Sequence, residues 1–547
     1  MMFYLHSKQK EKLIVININM KTKAIFILML VSLFYNTQAS TKRNYTVNQA
    51  EEFNAQEIIE QLDLPEVTIT SVTQEKDYAP HVLVAGLIGK NIKFELRLPD
   101  NWNGKFVMGG GGGFVGSVIN IALDYGALQK GYATVGTDTG HEGHPIDASW
   151  AFNNMEAILN FGHLAVHRTA VNAKALIEKY YTKEISYSYF VGCSRGGGQA
   201  LMEAQRYPDD FDGIIAGAPA YNWTHGLGAV MTQNMRAMYP DPANLDEPMI
   251  REKDLELIES TYLAMCDELD GIKDGIVNNP LECSFNLETL LCPGEKTGEC
   301  LTAEQIEVLK VIYGGPVDSE GNKLYYGFPL GGETDEDGWF KWLTGGFNHL
   351  VDVGEFQAGI SSEFEVPLMP NAQFGFGCGI MQYLVFHDTT WSYVDYDYNN
   401  LKSDASLVAD VLNATSPDLS EFRNNGGKLL MYTGWSDAAI SALGTIGYYE
   451  DVLAHDSTAV DDVKLFMMPG VLHCAGGIGP WFVNWIDEID NWVANQQKPE
   501  QITVHFVNDN LQPVGTRLLC PYPEVAIYDG KGNTRVSSSF ECGCSRK

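Results

Sequence analysis

The sequence predicts an α/β protein in which a mostly parallel sheet is covered by helices on both faces. Two observations lead to this fold class. Short apolar segments with strand character alternate with helical patterns in the first part of the chain, and two strong strands resume near its end. The chain has 547 residues, of which 45% are hydrophobic and 20% charged, so it can build a large core and more than one domain.

The core elements follow from periodicity along the chain. Residues 80–98 alternate apolar and polar side chains, which predicts a hairpin of strands. A further strand at 105–108 runs into five consecutive glycines at 109–113, and apolar residues at three- and four-residue spacings predict a long helix over 162–181. The remaining core elements are predicted strands at 132–136, 187–192, 213–218, 428–435 and 463–469 and predicted helices at 197–205 and 481–494.

Residues 221–427 interrupt this alternation of strands and helices. The segment is rich in turn residues, aromatic side chains and cysteines, so we interpret it as a lid domain inserted into the core. The core would then consist of residues 40–220 and 428–547, and a tail with paired cysteines would close the chain.

The N-terminal residues, 1–39, predict a secretory signal peptide. Two lysines precede an apolar stretch at 24–35, and Thr37 and Ala39 fit the small-residue pattern of a cleavage site. Met20 begins a complete signal by itself, so we expect translation to start there. The mature protein is therefore expected in the periplasm or outside the cell.

The net charge of −33 limits the partners of this chain. A strongly negative surface disfavours nucleic acid and anionic membranes, and it keeps an exported protein dissolved. Apart from the signal, no segment is apolar enough to predict a membrane span. We therefore expect neither a nucleic-acid partner nor a membrane span.

Ten cysteines in an exported chain predict disulfides. Two cysteines, Cys378 and Cys544, have no obvious partner, although Cys544 could replace Cys542. The sequence does not determine the connectivity. Local spacing suggests three loop-closing bridges, Cys266–Cys283, Cys292–Cys300 and Cys520–Cys542.

Two further cysteines stand directly beside residues used in nucleophilic catalysis. Cys193 precedes Ser194, and Cys474 follows His473. A disulfide holds its two Cα atoms about 5–6 Å apart, so a Cys193–Cys474 bridge, if it forms, would bring the serine and histidine together. An imidazole in that position can take the hydroxyl proton as the serine oxygen attacks.

Residues 192–196 fit the G-x-S-x-G pattern of a nucleophile elbow centred on Ser194. The motif alone is weak in a chain with 54 glycines, but here it lies between a predicted strand and a predicted helix. Flanking glycines permit the tight strand-to-helix turn that exposes the serine oxygen. The alternative interpretation is a glycine-rich turn around a buried structural serine.

Asp437 and His473 complete a candidate triad. Each follows a predicted strand, in the loops where active sites of α/β sheets form. The order Ser, Asp, His is that of an α/β-hydrolase, in which the aspartate orients the imidazole. The alternatives are a turn-forming aspartate and a structural histidine.

An acyl-transfer site also needs donors for the oxyanion. We expect the backbone N–H of Arg195 to be one, and the glycine run, with Gly112 as the candidate, to supply another. The alternative for the glycine run is a flexible loop.

An acidic loop at 266–276 is a candidate calcium site. It contains Asp267, Asp270 and Asp274, and glycines follow two of these aspartates, which allows tight turns that aim oxygens inward. Hard oxygen ligands suit Ca²⁺, although the loop lacks the pattern of an EF-hand. A pair of Asp-Gly turns is the alternative.

Taken together, these motifs resemble the tannase/feruloyl esterase family, from about residue 45 to the end. The resemblance implies an α/β-hydrolase core with a lid, Ser194 as nucleophile, His473 as general base and acid, and Asp437 as the orienting acid. It also implies the Cys193–Cys474 bridge. A structural Ca²⁺ would be held by Asp267, Asp270 and Asp274 and by the carbonyls of Ile272 and Ile276.

The function implied by the resemblance is a secreted serine carboxylesterase that acts on phenolic or other aromatic acid esters, including those on plant polymers. Feruloyl esterase is the first expectation, with tannase or a mono(2-hydroxyethyl) terephthalate hydrolase as alternatives. A non-catalytic calcium-dependent binding protein and a serine peptidase are more distant ones. Two or three lid aromatics should touch substrate, from among Trp339, Phe340, Trp342, Phe347, Phe374, Phe376, Tyr383, Phe386 and Trp391.

Overall fold

A computed structural model describes residues 57–59, 64–345 and 369–544 of the chain. Its centre is a nine-stranded sheet in the order β1-β2-β3-β5-β4-β6-β7-β8-β9. The predicted signal at 1–39 lies outside the described residues. The strands of this sheet are β1 Val67–Glu75, β2 His81–Ile88, β3 Ile92–Pro99, β4 Lys105–Gly109, β5 Ala133–Thr137, β6 Tyr187–Cys193, β7 Gly213–Gly217, β8 Lys428–Gly434 and β9 Val463–Met468.

Six of the nine strands, β5, β4, β6, β7, β8 and β9, run parallel to one another. The other three are antiparallel to their neighbours, and β2 and β3 form the hairpin expected at 80–98. The prediction of a mostly parallel sheet is therefore confirmed. Strand β1 was not predicted, because none of its nine residues is fully buried and its apolar pattern is weak.

Helices cover both faces of the sheet. The described α-helices are α1 Met155–Leu159, α2 Ala165–Tyr181, α3 Arg195–Arg206, α4 Val230–Met238, α5 Glu252–Cys266, α6 Ala303–Gly314, α7 Ala372–Gly379, α8 Leu401–Asp404, α9 Ser406–Leu412, α10 Ser420–Asn424, α11 Ala442–His455 and α12 Trp485–Asn495. Strand β6 shows the two-sided burial: Phe190 packs in a cluster with residues of α2 and α11, whereas Val191 packs in another with residues of α12. Such strands are continuously apolar because neither face meets water.

Where the structure describes it, the chain between β7 and β8 forms helices joined by turns and loops. In its described residues, β structure is limited to the bridge pairs Leu291–Leu301 and Val317–Lys323. Its helices α4 to α9 share a hydrophobic cluster that also includes Phe114 and Ile146 from the loops above the sheet. The insertion therefore packs over the carboxyl ends of the parallel strands. Its predicted limits, 221–427, stay a prediction.

The end of the chain forms two small antiparallel pairs, β10 Ile502–Val507 with β11 Pro513–Leu519 and β12 Glu524–Tyr528 with β13 Phe540–Cys544. Ile272 of the acidic loop packs among their apolar residues. The insertion and the tail are therefore in contact through this loop.

Four disulfides are formed: Cys193–Cys474, Cys266–Cys283, Cys292–Cys300 and Cys520–Cys542. Cys378 is buried and unbridged, and Cys544 is exposed and unbridged. The pairing of Cys520 with Cys542 decides between the two candidates in the tail. In the described part of the chain, no helix combines the length and apolarity that crossing a bilayer requires.

Candidate active site

Ser194 lies in the turn between β6 and α3, where the chain reverses sharply. Its backbone has φ 60° and ψ −121°, a strained conformation for a residue with a side chain. A Cβ on Gly192 would lie 2.3 Å from the carbonyl of Gly196, so the first glycine of the motif is sterically required. The geometry is that of a nucleophile elbow, with the serine at the carboxyl end of a central strand.

The Cys193–Cys474 disulfide ties the end of β6 to the loop after β9, with a Cα–Cα distance of 5.9 Å. Ser194 and His473, the neighbours of the two cysteines, line the same cavity. In the described residues His473 forms a hydrogen bond with Asp437 but none with the Ser194 hydroxyl. Hydrogen bonds of this kind often tighten only when substrate is bound.

Asp437 holds one side of the His473 ring. Oδ2 of the aspartate lies 2.8 Å from Nδ1 of the histidine. The other oxygen, Oδ1, accepts hydrogen bonds from the backbone N–H groups of Ala439, at 2.8 Å, and Ile440, at 2.9 Å. The buried carboxylate is thus fixed by its own loop, and it favours the tautomer with the proton on Nδ1. The Nε2 lone pair is then available to a hydroxyl proton.

The glycine run after β4 approaches the same cavity. The N–H of Gly111 donates to Oε1 of Gln199 at 3.0 Å and is already engaged. The carbonyl of Gly112 accepts from Val115, whereas Gly113 lines the cavity. Gly113 has φ 52°, and a Cβ there would lie 2.3 Å from the carbonyl oxygen of Pro145. The structure therefore places Gly113 on the cavity wall, one residue beyond the predicted Gly112.

The side chain of Arg195 is fully buried beside the elbow. Its guanidinium lies 4.2 Å from the ring centroid of Phe161 and 5.3 Å from that of Trp223. It donates to the carbonyl oxygens of Phe161 and Gly162. Burial lowers the pKa of this arginine to about 9, which leaves it positively charged at neutral pH. Arg195, the residue next to the candidate nucleophile, therefore carries a buried positive charge.

The cavity that contains Ser194 and His473 has a volume of about 560 Å³. Its insertion-side wall is aromatic. Trp342 meets the His473 ring edge-on, with centroids 5.2 Å apart, and Phe376 stacks with Trp342 at 5.9 Å. Trp223, Leu227 and Met231 extend this apolar surface.

Two of the nine predicted lid aromatics, Trp342 and Phe376, line the cavity. Phe347 lies outside the described residues, and the other six are not among the cavity's lining residues. Trp223 was missed by sequence reasoning, because it stands after β7 without a motif of its own. The cavity lining also includes the polar residues Arg97, paired with Glu95 at 2.8 Å, and Asn120, which were also not predicted.

The acidic loop folds around its own carboxylates. Asp267 accepts from the backbone N–H of Gly275 at 2.9 Å, Asp270 from that of Ile272 at 3.0 Å, and Asp274 from that of Ile276 at 3.2 Å. Burial and the neighbouring Asp274 and Asp267 raise the pKa of Asp270 to about 6. Of the three carboxylates Asp267 is buried and the other two are half-buried, and oxygen donors of this kind suit a hard cation.

One carboxylate of the acidic loop has another partner. Oδ2 of Asp274 accepts from the Arg517 guanidinium of β11 at 2.6 Å. The loop is far from Ser194 in the chain and is absent from the cavity lining. Its donors fit Ca²⁺ in chemical type, and Arg517 supplies part of the neutralising charge.

A serine on a nucleophile elbow, a His–Asp pair and a mostly parallel sheet together define a serine hydrolase with the α/β-hydrolase fold. The chain matches the family described as Tannase and feruloyl esterase over residues 82–543. It therefore belongs to the tannase and feruloyl esterase family, and it is a carboxylic ester hydrolase.

Individual relatives agree with this assignment. The mono(2-hydroxyethyl) terephthalate hydrolase of Piscinibacter sakaiensis is 33% identical, with 87% of this chain and 88% of that protein covered. The probable feruloyl esterase of Arthroderma benhamiae is 32% identical over 82% of this chain and 81% of that protein. The crystal structure of feruloyl esterase B from Aspergillus oryzae matches 90% of this chain and 100% of its own, with a TM-score of 0.76 and 25% identity.

Proposed function

We propose that this enzyme hydrolyses esters of aromatic acids and that the acyl ring binds against the aromatic wall of the cavity. The observation that carries the proposal is the position of Trp342, whose ring contacts His473 while both line the cavity with Ser194. Flat aromatic rings bind well on such surfaces. Relatives named for feruloyl and terephthalate esters support the same substrate class.

The proposed reaction begins when Ser194 Oγ attacks the ester carbonyl carbon and His473 Nε2 takes its proton. Asp437 stabilises the resulting imidazolium through Nδ1. The tetrahedral intermediate collapses, the alcohol leaves with the proton from His473, and an acyl-enzyme remains. Water, deprotonated by His473, then attacks the acyl carbon and regenerates the serine.

The developing oxyanion would be held by two backbone donors. The Arg195 N–H stands at the start of α3, where the positive end of the helix dipole adds to its effect. The second donor comes from the glycine run. Gly112 is the predicted residue, and Gly113 is the alternative favoured by its place on the cavity wall.

Among aromatic acids, feruloyl esters are our first expectation, with galloyl esters and mono(2-hydroxyethyl) terephthalate as alternatives. The test is the hydrolysis of methyl ferulate, methyl gallate and mono(2-hydroxyethyl) terephthalate side by side, with Ser194→Ala as the control. Preference for one ester, lost in the control, would identify the branch. Absence of activity on all three by folded enzyme would contradict the aromatic-acid proposal, and cleavage of a peptide anilide instead would favour a peptidase.

We also propose a structural Ca²⁺ in the acidic loop, held by Asp267, Asp270 and Asp274 with the carbonyls of Ile272 and Ile276. It would brace the contact between this loop and the tail, to which Arg517 also contributes. Chelation should lower the melting temperature, and added Ca²⁺ should restore it. A melting temperature unaffected by either treatment would contradict this assignment.

We also propose that the protein is exported to the periplasm or the medium. Four disulfides support it, since such bridges persist in oxidising compartments. Fractionation of the native host would test this proposal. Enzyme found in the cytoplasm with its N-terminal residues still attached would contradict it.

A further inference from the structure

We propose that His167, Glu203 and Asp210 form a second metal site, suited to a zinc-class divalent cation. Each residue offers one ligand atom, and these three atoms lie within 4.8 Å of one another. His167 is on α2, Glu203 is near the end of α3, and Asp210 follows in the loop before β7. None of the three lines the cavity of Ser194, so the site is separate from the proposed catalytic machinery.

The buried carboxylate of Glu203 is the feature that points to a ligand. Its side chain is completely buried, yet neither carboxylate oxygen has a hydrogen-bond partner in the described residues. The Asp210 carboxylate lies within hydrogen-bonding reach, but as a carboxylate it can partner Glu203 only if one of the two groups carries a proton. Two buried carboxylates side by side require a proton or a cation between them, because an uncompensated buried charge is very costly.

His167 supplies the nitrogen ligand and the route to solvent. Its Nδ1 lies 2.7 Å from Oδ2 of Asp210, and 32% of its side chain is exposed. The ring is held in place by stacking on Tyr207, with centroids 3.9 Å apart. Tyr207 is fixed in turn by a hydrogen bond of 2.7 Å to His163. Such supporting contacts orient the imidazoles that ligate metals.

Lys174 is the cation already present beside the cluster. Its ammonium group donates to the backbone carbonyl of Asp210 rather than to either carboxylate. It therefore offsets part of the negative charge without satisfying the oxygens of Glu203. A divalent ion would neutralise both carboxylates and satisfy the empty lone pairs together.

The donor set indicates the class of metal. One imidazole and two carboxylates, with an exposed side for water, suit Zn²⁺, whereas Ca²⁺ prefers oxygen ligands alone. Neighbouring ligands of a tetrahedral zinc stand roughly 3.3 Å apart, so His167 and Asp210 would separate slightly. The ion would join α2 to α3, the helix that begins at Ser194.

The test is zinc uptake by the whole enzyme in excess Ca²⁺, which keeps the acidic loop filled. Titration calorimetry and metal analysis after dialysis should show one Zn²⁺ per chain and a raised melting temperature. His167→Ala and Glu203→Gln should each weaken binding by at least about tenfold and abolish the rise in melting temperature. The matched control is His455→Ala, which removes an exposed histidine whose Nε2 lies 3.6 Å from Oδ1 of Asp418. This variant should bind zinc like the parent.

Three results would overturn the proposal. They are no zinc uptake by the parent enzyme, equal uptake by the Glu203 variant, and loss of uptake in the His455 control. Because Glu203→Gln keeps the shape of the buried side chain, it should stay folded in zinc-free buffer. A Glu203→Gln protein that melts higher than the parent without zinc, with no zinc effect on the parent, would assign a shared proton to the pair instead.

Discussion

Cys193 and Cys474 are 281 positions apart in the chain, but their Cα atoms lie 5.9 Å from each other in the fold. The bridge joins the residue before Ser194 to the residue after His473. The serine is set by a central strand and the following helix, and the histidine by a loop after the outermost parallel strand. One covalent link therefore limits how far these two elements can move apart, independently of the packing around them.

Replacing Ser194 with alanine should abolish turnover without unfolding the protein. The substitution removes only a hydroxyl, and alanine retains the backbone of the elbow. We expect kcat on methyl ferulate to fall by about 10⁴- to 10⁶-fold. Circular dichroism and the melting temperature should match the parent. Unchanged turnover in this variant would show that another residue is the nucleophile.

Asp437→Asn should keep the fold and lose most of the rate. The asparagine carbonyl can still accept from Ala439 and Ile440, but its amide would then face Nδ1 of His473 and favour the wrong tautomer. A drop in kcat of about 10⁴-fold is expected, with little change in KM. Steady-state kinetics across pH would measure it, and a loss smaller than tenfold would argue against Asp437 as the orienting group.

Removing the Cys193–Cys474 bridge by a double alanine substitution should lower both kcat and stability. The bridge constrains a long loop in the unfolded chain, so its removal should cost about 2–5 kcal/mol, and the Ser–His geometry should loosen. The matched control is the Cys292→Ala/Cys300→Ala double variant, which opens a bridge remote from the catalytic residues. If both double variants turned over substrate at the parent rate, packing alone would position the triad.

Trp342→Leu should reduce selectivity for aromatic acyl groups. Leucine keeps an apolar contact with Phe376 but removes the flat surface beside His473. We expect kcat/KM for methyl ferulate to fall about tenfold relative to an aliphatic methyl ester. Comparing the two substrates in one variant removes any general effect on folding. Trp391→Leu, which alters an aromatic cluster outside the cavity, should leave the ratio unchanged.

Glu333 should make stability decrease with rising pH. The residue is fully buried, and burial raises its pKa from 4.5 to about 7. Between these pH values the folded protein binds a proton that the unfolded chain has released, so stability falls as pH rises through this window. The loss approaches roughly 3 kcal/mol above pH 7. Folding then requires an ionised carboxylate in the core.

Glu333→Gln removes this ionisation, while its carbonyl can still accept from Tyr313 and Gly331. The melting temperature of the variant should exceed that of the parent at pH 8, and the two should be nearly equal at pH 5. Glu184→Gln, at an exposed position, serves as the comparison and should follow the parent throughout. A Glu333→Gln advantage of equal size at both pH values would contradict the raised pKa.

Much of the fold could be predicted because local patterns encode it. The alternation in residues 80–98 marks the β2–β3 hairpin, and the continuous apolar run of β6 reflects burial on both faces. The same strand, followed by Gly192 and Gly196, predicts the elbow at Ser194. These features depend on side-chain periodicity and backbone freedom, which neighbouring residues determine. The weakly patterned β1 escaped prediction for the same reason.

The candidate site was predicted less completely. The dipeptides Cys193-Ser194 and His473-Cys474 indicate the candidate serine and histidine. No motif marks Trp223, which reaches the cavity only when the insertion folds over the sheet. The choice between Gly112 and Gly113 depends on where Pro145 approaches the loop. Neither approach is visible in local sequence, because each joins segments that are distant in the chain.

The sequence by itself determined the fold class, the order of the candidate triad and the residues beside each cysteine, since local patterns and chain order carry this information. Only the tertiary structure decided which aromatic rings face His473, and only it brought His167, on α2, to Glu203 and Asp210. Long-range packing sets these contacts. Their energy comes from burying and pairing groups that meet only after the sheet, the helices and the insertion have assembled.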